Sequence, residues 1–296
     1  MRIARRAAVA TLLLLLSGTA EAIVITSTQD SDDFFRALSG FETGITITNI
    51  EIDGHVAPAI FGSPPGAPMA SSTGVYTNAS EAYGGSKKGI VLSTGDVNDY
   101  GDGPNVSDTT STAYTPRATE QQRLLAQEIT GGDYGYWDVT QIDITFDAAT
   151  TTQHIIFDVV FGTEEWPDFI GSKFNDGFGA FLNGTNFALL DGAGITSQSQ
   201  DLTGAISGTE LNAVLAAGGE PLLQFVAAVE AGSTDNVLSF LLFDTSDSIL
   251  DTTVYISNLT HNPEPGTGVL LGLGMCALAT ATRRRACLVR KNEETR

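Results

Sequence analysis

Apolar residues in this chain come in runs too short for most helices, separated by turn formers. That spacing points to a β fold. Residues 155–161 (Ile-Ile-Phe-Asp-Val-Val-Phe) are almost unbroken and read as a central strand. Ile142, Ile144 and Phe146 alternate with Asp143, Thr145 and Asp147, which predicts a strand with one wet face. Ile45 and Ile47, then Ile50 and Ile52, alternate on a register that shifts at Asn49. Residues 89–93, 178–182, 222–229, 237–243 and 253–259 continue the series. The expected fold is mostly β: one β-sandwich or jelly-roll-like domain with a few short helices. Those helices are 31–38, ended by Gly40, a segment opened by the capping box Thr119-Glu120-Gln121-Gln122 and running to about Ile129, and a short one from Thr209 to Ala217. Residues 62–86, rich in Gly, Pro, Ala and Ser, read as a long loop.

The two ends carry another pattern. Arg2, Arg5 and Arg6 precede an apolar run over 7–16, then small residues and Ala20-Glu21-Ala22. A basic head, an apolar stretch too short to span a bilayer and an A-x-A site marked by Ala20 and Ala22 predict a signal peptide over 1–22. At the other end Pro263, Glu264 and Pro265 lead into a Gly-rich apolar run, 269–282, closed by Arg283, Arg284 and Arg285. A charge stop behind an apolar stretch holds a segment in the membrane with the arginines cytoplasmic. That run gives only ~21 Å of helix against a ~30 Å hydrocarbon core, so residues 266–268 and snorkelling arginines must help it across. The expectation is transient membrane insertion, not a permanent anchor. The chain thus divides into 1–22, a body over 23–261, a sorting segment over 262–286 and a short extension over 287–296.

Charge narrows the partners. Residues 23–265 hold 32 acidic and six basic side chains. A body near −26 repels nucleic acid and anionic membrane surfaces, and it attracts cations. Both cysteines, Cys276 and Cys287, lie in the tail. The body therefore has no internal disulfide and no cysteine chemistry. It must rely on its core, with a bound metal as the other available staple.

Three blocks together resemble one family. The first is Gly89-Ile90-Val91-Leu92-Ser93-Thr94-Gly95. The second runs Phe157-Asp158-Val159-Val160-Phe161-Gly162-Thr163-Glu164-Glu165-Trp166-Pro167-Asp168-Phe169 and continues over 174–184. The third covers 244–256, Asp-Thr-Ser-Asp-Ser-Ile-Leu-Asp-Thr-Thr-Val-Tyr-Ile. They resemble the bacterial choice-of-anchor L domain over roughly 36–259, with Trp166 where that family usually has Tyr. The tail is similar to the PEP-CTERM sorting signal in Pro263, Glu264 and Pro265, its apolar helix, and Arg283, Arg284 and Arg285. It departs from that signal in the stretch 286–296. The resemblance implies recognition and cleavage by an exosortase. It also implies export across the inner membrane of a Gram-negative, exopolysaccharide-making host, to the cell surface or beyond. It names no activity.

The chemistry-bearing residues are acidic. Glu164, Glu165, Asp168 and Asp176 lie in and after the second block, and Asp244, Asp247 and Asp251 form a D-x-x-D-x-x-x-D run. Clustered carboxylates repel unless a cation or a proton relieves them, and hard oxygen ligands on loops suit Ca²⁺. If the strands before Glu164 and Asp244 pair, the two sets converge on one Ca²⁺ site. The stretch 96–103 begins like a calcium loop but has Ser107 at the twelfth position, so it reads as a plain acidic loop. His55, His154 and His261 are too scattered for zinc or Ser-His-Asp chemistry. Glu164 and Asp168 flank Trp166 as a candidate glycosidase pair, but four strand residues separate carboxyls by ~13 Å, beyond the ~5–9.5 Å required. Trp137, Trp166, Tyr134, Tyr136 and Tyr100 are candidates for a sugar-stacking platform. The favoured reading is a non-enzymatic, exported surface or matrix protein with exopolysaccharide as partner. The alternatives are a secreted carbohydrate-active enzyme or a purely structural coat protein that takes calcium alone.

Overall fold

The computed structural model describes residues 23–39, 44–57, 69–79, 82–204 and 209–263. The signal peptide and the sorting segment beyond Pro263 lie outside the described residues. Among the described residues no helix is long and apolar enough to cross a membrane.

Every strand pairing is antiparallel, and the strands form two main sheets. In chain order the strands are β1 (Val24–Ser27), β2 (Ile45–Asp53), β3 (Val56–Ala57), β4 (Ala70–Ser71), β5 (Thr73–Thr77), β6 (Lys88–Ser93), β7 (Tyr136–Ala148), β8 (Thr152–Thr163) and β9 (Gly177–Leu182). They continue as β10 (Thr185–Asn186), β11 (Leu189–Leu190), β12 (Ala193–Thr196), β13 (Leu202–Gly204), β14 (Ala213–Leu215), β15 (Leu223–Ala228), β16 (Asn236–Thr245) and β17 (Thr252–Pro263). The first sheet runs β1-β5-β6-β17-β8-β14-β13, with β15 also on β8. The second runs β11-β12-β9-β16-β7-β2, with β10 on β9. β3 and β4 pair separately.

The central-strand reading of 155–161 holds. β8 is paired along one edge by β17 and along the other by β15 and β14 in tandem. Its inward residues Ile155, Phe157, Val159 and Phe161 meet Ile144, Phe146, Phe178, Phe240 and Leu242 of the other sheet. The Phe157 and Phe240 rings meet edge to face, 5.0 Å apart between centroids. Helix α1 (Ser31–Leu38) closes one side of the core between the sheets, packing Phe34 and Leu38 into it against β2 and β6, and α2 (Glu120–Thr130) covers the outer face of the second sheet over β9 and β16. Gly177 and Gly179 make room for α2: a Cβ on Gly179 would stand 2.5 Å from Ile129 Cδ1. The capping box forms as expected, with the Thr119 hydroxyl accepting from the Gln122 amide. The register shift in β2 is a β-bulge between Ile47 and Asn49.

Two expectations are corrected. Residues 209–217 do not form a helix, because Ala213–Leu215 is drawn into the sheet beside β8. Tertiary pairing there overrides a capping signal. The stretch read as a long loop contains β4 and β5, whose Gly74 and Val75 pair with Val91 and Ile90.

Candidate metal centre

β8, β16 and β6 end, and β9, β17 and β7 begin, at one end of the sandwich. Six carboxylates converge there almost without exposure: Asp138, Glu164, Glu165, Asp176, Asp244 and Asp251, none more than 2% exposed. The two acidic sets of the sequence do meet, though not by strand pairing. β8 and β16 lie in different sheets, so Glu164 and Asp244 approach across the sandwich.

Local backbone aims these groups inward. Glu164 and Glu165 follow the last residue of β8, where the Thr163 hydroxyl accepts from the Glu165 amide. Glu164 Oε1 accepts from the Asn212 amide at 3.3 Å. Asp176 is held on both oxygens, by the Thr245 amide and the Thr252 hydroxyl, each at 2.9 Å. Asp251 Oδ1 accepts from the Thr112 amide. Its Oδ2 presses on Gly95, where a Cβ would stand 1.7 Å away, so only glycine admits this carboxylate. Asp138 sits at a bulge in β7 opposite the Leu242–Asp244 irregularity, at φ 46°, with Oδ2 bonded to the Tyr114 amide. Thr115, Ser246 and Leu250 also have left-handed backbone at this end, a strain that other contacts must hold in place.

One oxygen remains without a hydrogen-bond partner on each of Asp138, Glu164, Glu165, Asp244 and Asp251, and on the amide carbonyl of Asn175 beside Asp176. Burial pushes every one of these carboxyls upward. Glu164 rises to about 9, from desolvation and then from Asp251, Glu210 and Asp108. Asp251 rises to about 7, mainly by desolvation, with Asp99 and Asp138 adding repulsion. Glu165 and Asp176 are raised by burial and by each other's neighbourhood of Asp247, and Asp244 lies well above the usual range. Lys173 acts on Asp247 at the rim and opposes its rise. Leaving buried charges unpaired is costly, so these carboxyls hold protons or a cation. Among the described residues no three His, Cys, Asp or Glu side chains already stand close enough to grip an ion.

Not all the sequence candidates belong to this group. Asp168 is exposed on the turn after β8 and points outward. Asp247 is half-buried at the rim. The strand ends at Thr163, so strand spacing does not apply between Glu164 and Asp168. Both instead line a groove of about 440 Å³ with Trp166, Asp108 and Asn212. The five aromatics form no shared platform. Tyr100 is fully buried, Tyr136 packs on Phe243, and Trp137 lies under the Arg117 guanidinium at 4.2 Å.

Sequence reasoning missed Asp138 and the 101–118 loop. That loop is stitched across the acidic end by Val106 to Glu210, Thr112 to Asp251, Tyr114 to Asp138 and the Asn105–Asn212 pair. Asp99, in the stretch read as a plain acidic loop, faces the same end, raised by desolvation and by Asp96 and Glu210. The signal for Asp138 was faint: one Asp in an aromatic strand start, Tyr-Trp-Asp-Val.

No curated protein and no solved structure matches the chain in comparison. A family model described as the Choice-of-anchor L domain matches residues 36–260, most of the chain and all of the acidic end. The chain therefore belongs to the choice-of-anchor L domain family, which points to an exported, cell-surface protein and is not a known enzyme family.

Proposed function

We propose that this is a non-enzymatic surface or matrix protein whose sandwich is locked at one end by Ca²⁺, and whose partner is the exopolysaccharide of the producing cell. The observation that carries the reading is the set of buried carboxylates with unpartnered oxygens, Asp138, Glu164, Glu165, Asp244 and Asp251, around the fully hydrogen-bonded Asp176. Oxygen-only ligands from loops at strand ends suit calcium better than zinc or copper. The ion would replace protons that burial otherwise forces onto these groups. Asp247 adds an oxygen at the rim. Asp168 belongs to the neighbouring groove, where the half-exposed Trp166 ring and surrounding carboxyls and amides suit a sugar chain.

In the same reading the sequence ends govern delivery. The signal peptide, cut at Ala20-Glu21-Ala22, exports the chain. Pro263, Glu264 and Pro265 with Arg283, Arg284 and Arg285 hold it briefly in the membrane until an exosortase removes the tail. The mass of the mature surface protein should then lack everything beyond the Pro-Glu-Pro region. A tail intact to Arg296 would contradict that step.

The partner is tested by affinity electrophoresis of the mature protein through gels containing the cell's own exopolysaccharide, with and without EDTA. Retardation that EDTA abolishes is the expected result. Equal mobility in all gels would shift the function to a structural coat, and release of reducing sugar would restore the enzyme alternative.

A further inference from the structure

We infer that the groove beside Trp166 takes a glycan carrying free amino groups and rejects acidic polysaccharides, an assignment that rests on the sugar-chain reading above and adds the class of sugar.

Asp108, from the 101–118 loop, and Asp168, from the turn after β8, both line the groove and are exposed. Trp166 and Phe169 supply its apolar surface. The half-exposed indole rests against β13, where a Cβ on Gly204 would stand 2.8 Å from Cη2. At about 440 Å³ the groove lies within the ~300–1,000 Å³ of small-ligand clefts.

Of the six buried acids, Glu164 alone lines this groove. It is 2% exposed, its Oε1 accepts from the Asn212 amide at 3.3 Å, and its Oε2 has no partner. The Asn212 side chain is already spent. Its Nδ2 donates to the carbonyls of Asp108 and Glu164, and its Oδ1 accepts from Asn105. A buried carboxylate oxygen with no donor is costly, so the donor has to come with a ligand. A sugar hydroxyl brings a donor alone. An ammonium brings donors and the compensating charge together. Glu164 is thereby paired with the glycan, and Asp138, Glu165, Asp244 and Asp251 remain for calcium.

Charge around the groove favours the same ligand. Asp251, Glu210 and Asp108 bear on Glu164, and Glu210 is tied to the overlying loop through the Val106 amide. No basic side chain lines the groove. Arg117 lies over Trp137 at 4.2 Å and Lys173 over Phe174 at 5.0 Å. A uronate chain would bring like charge with nothing to pair it. An amino sugar meets acids on every side, and its ammonium is also attracted to an indole face. The Trp166 ring favours a saccharide over a basic peptide, because the apolar face of a sugar ring covers an indole.

The test compares ligands on the mature protein by titration calorimetry, in Ca²⁺ at about pH 6, where sugar amines are protonated. The probes are a β-1,4-linked glucosamine tetramer, its N-acetylated counterpart, tetragalacturonate and tetralysine. The glucosamine tetramer should bind at least about tenfold more tightly than the other three. Asp168→Asn should weaken it roughly two- to fivefold, as expected for an exposed charge pair. Glu164→Gln should weaken it by about tenfold or more. Both variants should affect the amino tetramer more than the N-acetylated one. Equal affinity for those two tetramers, or equally tight binding of tetragalacturonate, would overturn the amino-glycan assignment while sparing the sugar groove. Tetralysine bound as tightly as the glucosamine tetramer would overturn it in favour of a basic peptide. Binding of none of the four would also overturn it, and retardation by the cell's own exopolysaccharide then decides separately whether the sugar reading stands. If Glu164→Gln fails to fold, the wild-type ligand series and Asp168→Asn decide.

Discussion

Two carboxylate regions lie on the same strand, and they are built in opposite ways. Midway along β8, Asp158 is 5% exposed, and both its oxygens are met by amide donors, Gln224 Nε2 at 3.0 Å and Asn258 Nδ2 at 2.9 Å. Just past the end of β8, Glu164 and Glu165 are as buried, but each keeps an oxygen with no donor and has acidic neighbours, and Glu164 meets a single backbone amide, that of Asn212, on its other oxygen. The first arrangement is finished within the chain. The second is complete only with something from outside it. A buried acid therefore means different things according to what faces it.

The largest effect should fall on what both regions share. Phe157→Ala removes the ring that joins the sheets and should cost about 3–5 kcal/mol in chemical denaturation. That loss should be the same in Ca²⁺ and in EDTA, because Phe157 lies midway along β8, away from the acidic end. A calcium-dependent loss would break the comparison.

Glu165→Gln should change sign with conditions. With calcium about a hundredfold above its dissociation constant, the variant should lose roughly 2.7 kcal/mol, the linkage contribution of one ion. In EDTA it should unfold at slightly higher denaturant than the wild type, since one member of a repelling group is gone. Asn258→Ala, by contrast, leaves Asp158 Oδ2 without its donor and should cost about 1–3 kcal/mol in both conditions.

pH sharpens the contrast further. Glu164 at about 9 and Asp251 at about 7 lie above their unfolded values of about 4.3 and 3.9. Raised acids hold protons more tightly when folded. Their contribution is complete below about pH 4 and is lost as pH rises toward 7 to 9. In EDTA the melting temperature should therefore fall from pH 5 to pH 8. In saturating calcium the slope should flatten, because the ion favours the deprotonated form. The smallest effect should belong to Asp168→Asn, on the exposed turn, at under about 0.5 kcal/mol in either condition.

The same contrast explains what the sequence disclosed. Strands whose apolar pattern is local, such as β8, β7 and the bulged β2, were legible because periodicity reports burial directly. The strand at 213–215 was not, since β8, the central strand that draws it into the sheet, is fifty residues away and a Thr with a following Gly-Gly imitates a short helix. The acids at strand ends were visible as clusters. Their convergence across two sheets, rather than along a pair of strands, depended on topology. Asp138 was hidden because a bulge, and not a motif, turns it inward. Asp168 looked like a member of the group by spacing alone, and the turn after Thr163 carries it outside.

Thermal unfolding of the mature protein at pH 8, in millimolar Ca²⁺, in Mg²⁺ and in EDTA, tests the central claim most directly. Calcium a thousandfold above its dissociation constant adds about 4 kcal/mol per ion, or roughly 8–16 °C in a body of this size. The expected result is a shift of at least that order in Ca²⁺ and a much smaller one in Mg²⁺, which demands tighter octahedral geometry. Coincident melts in all three buffers would mean that the buried carboxyls simply keep their protons, and would contradict the account.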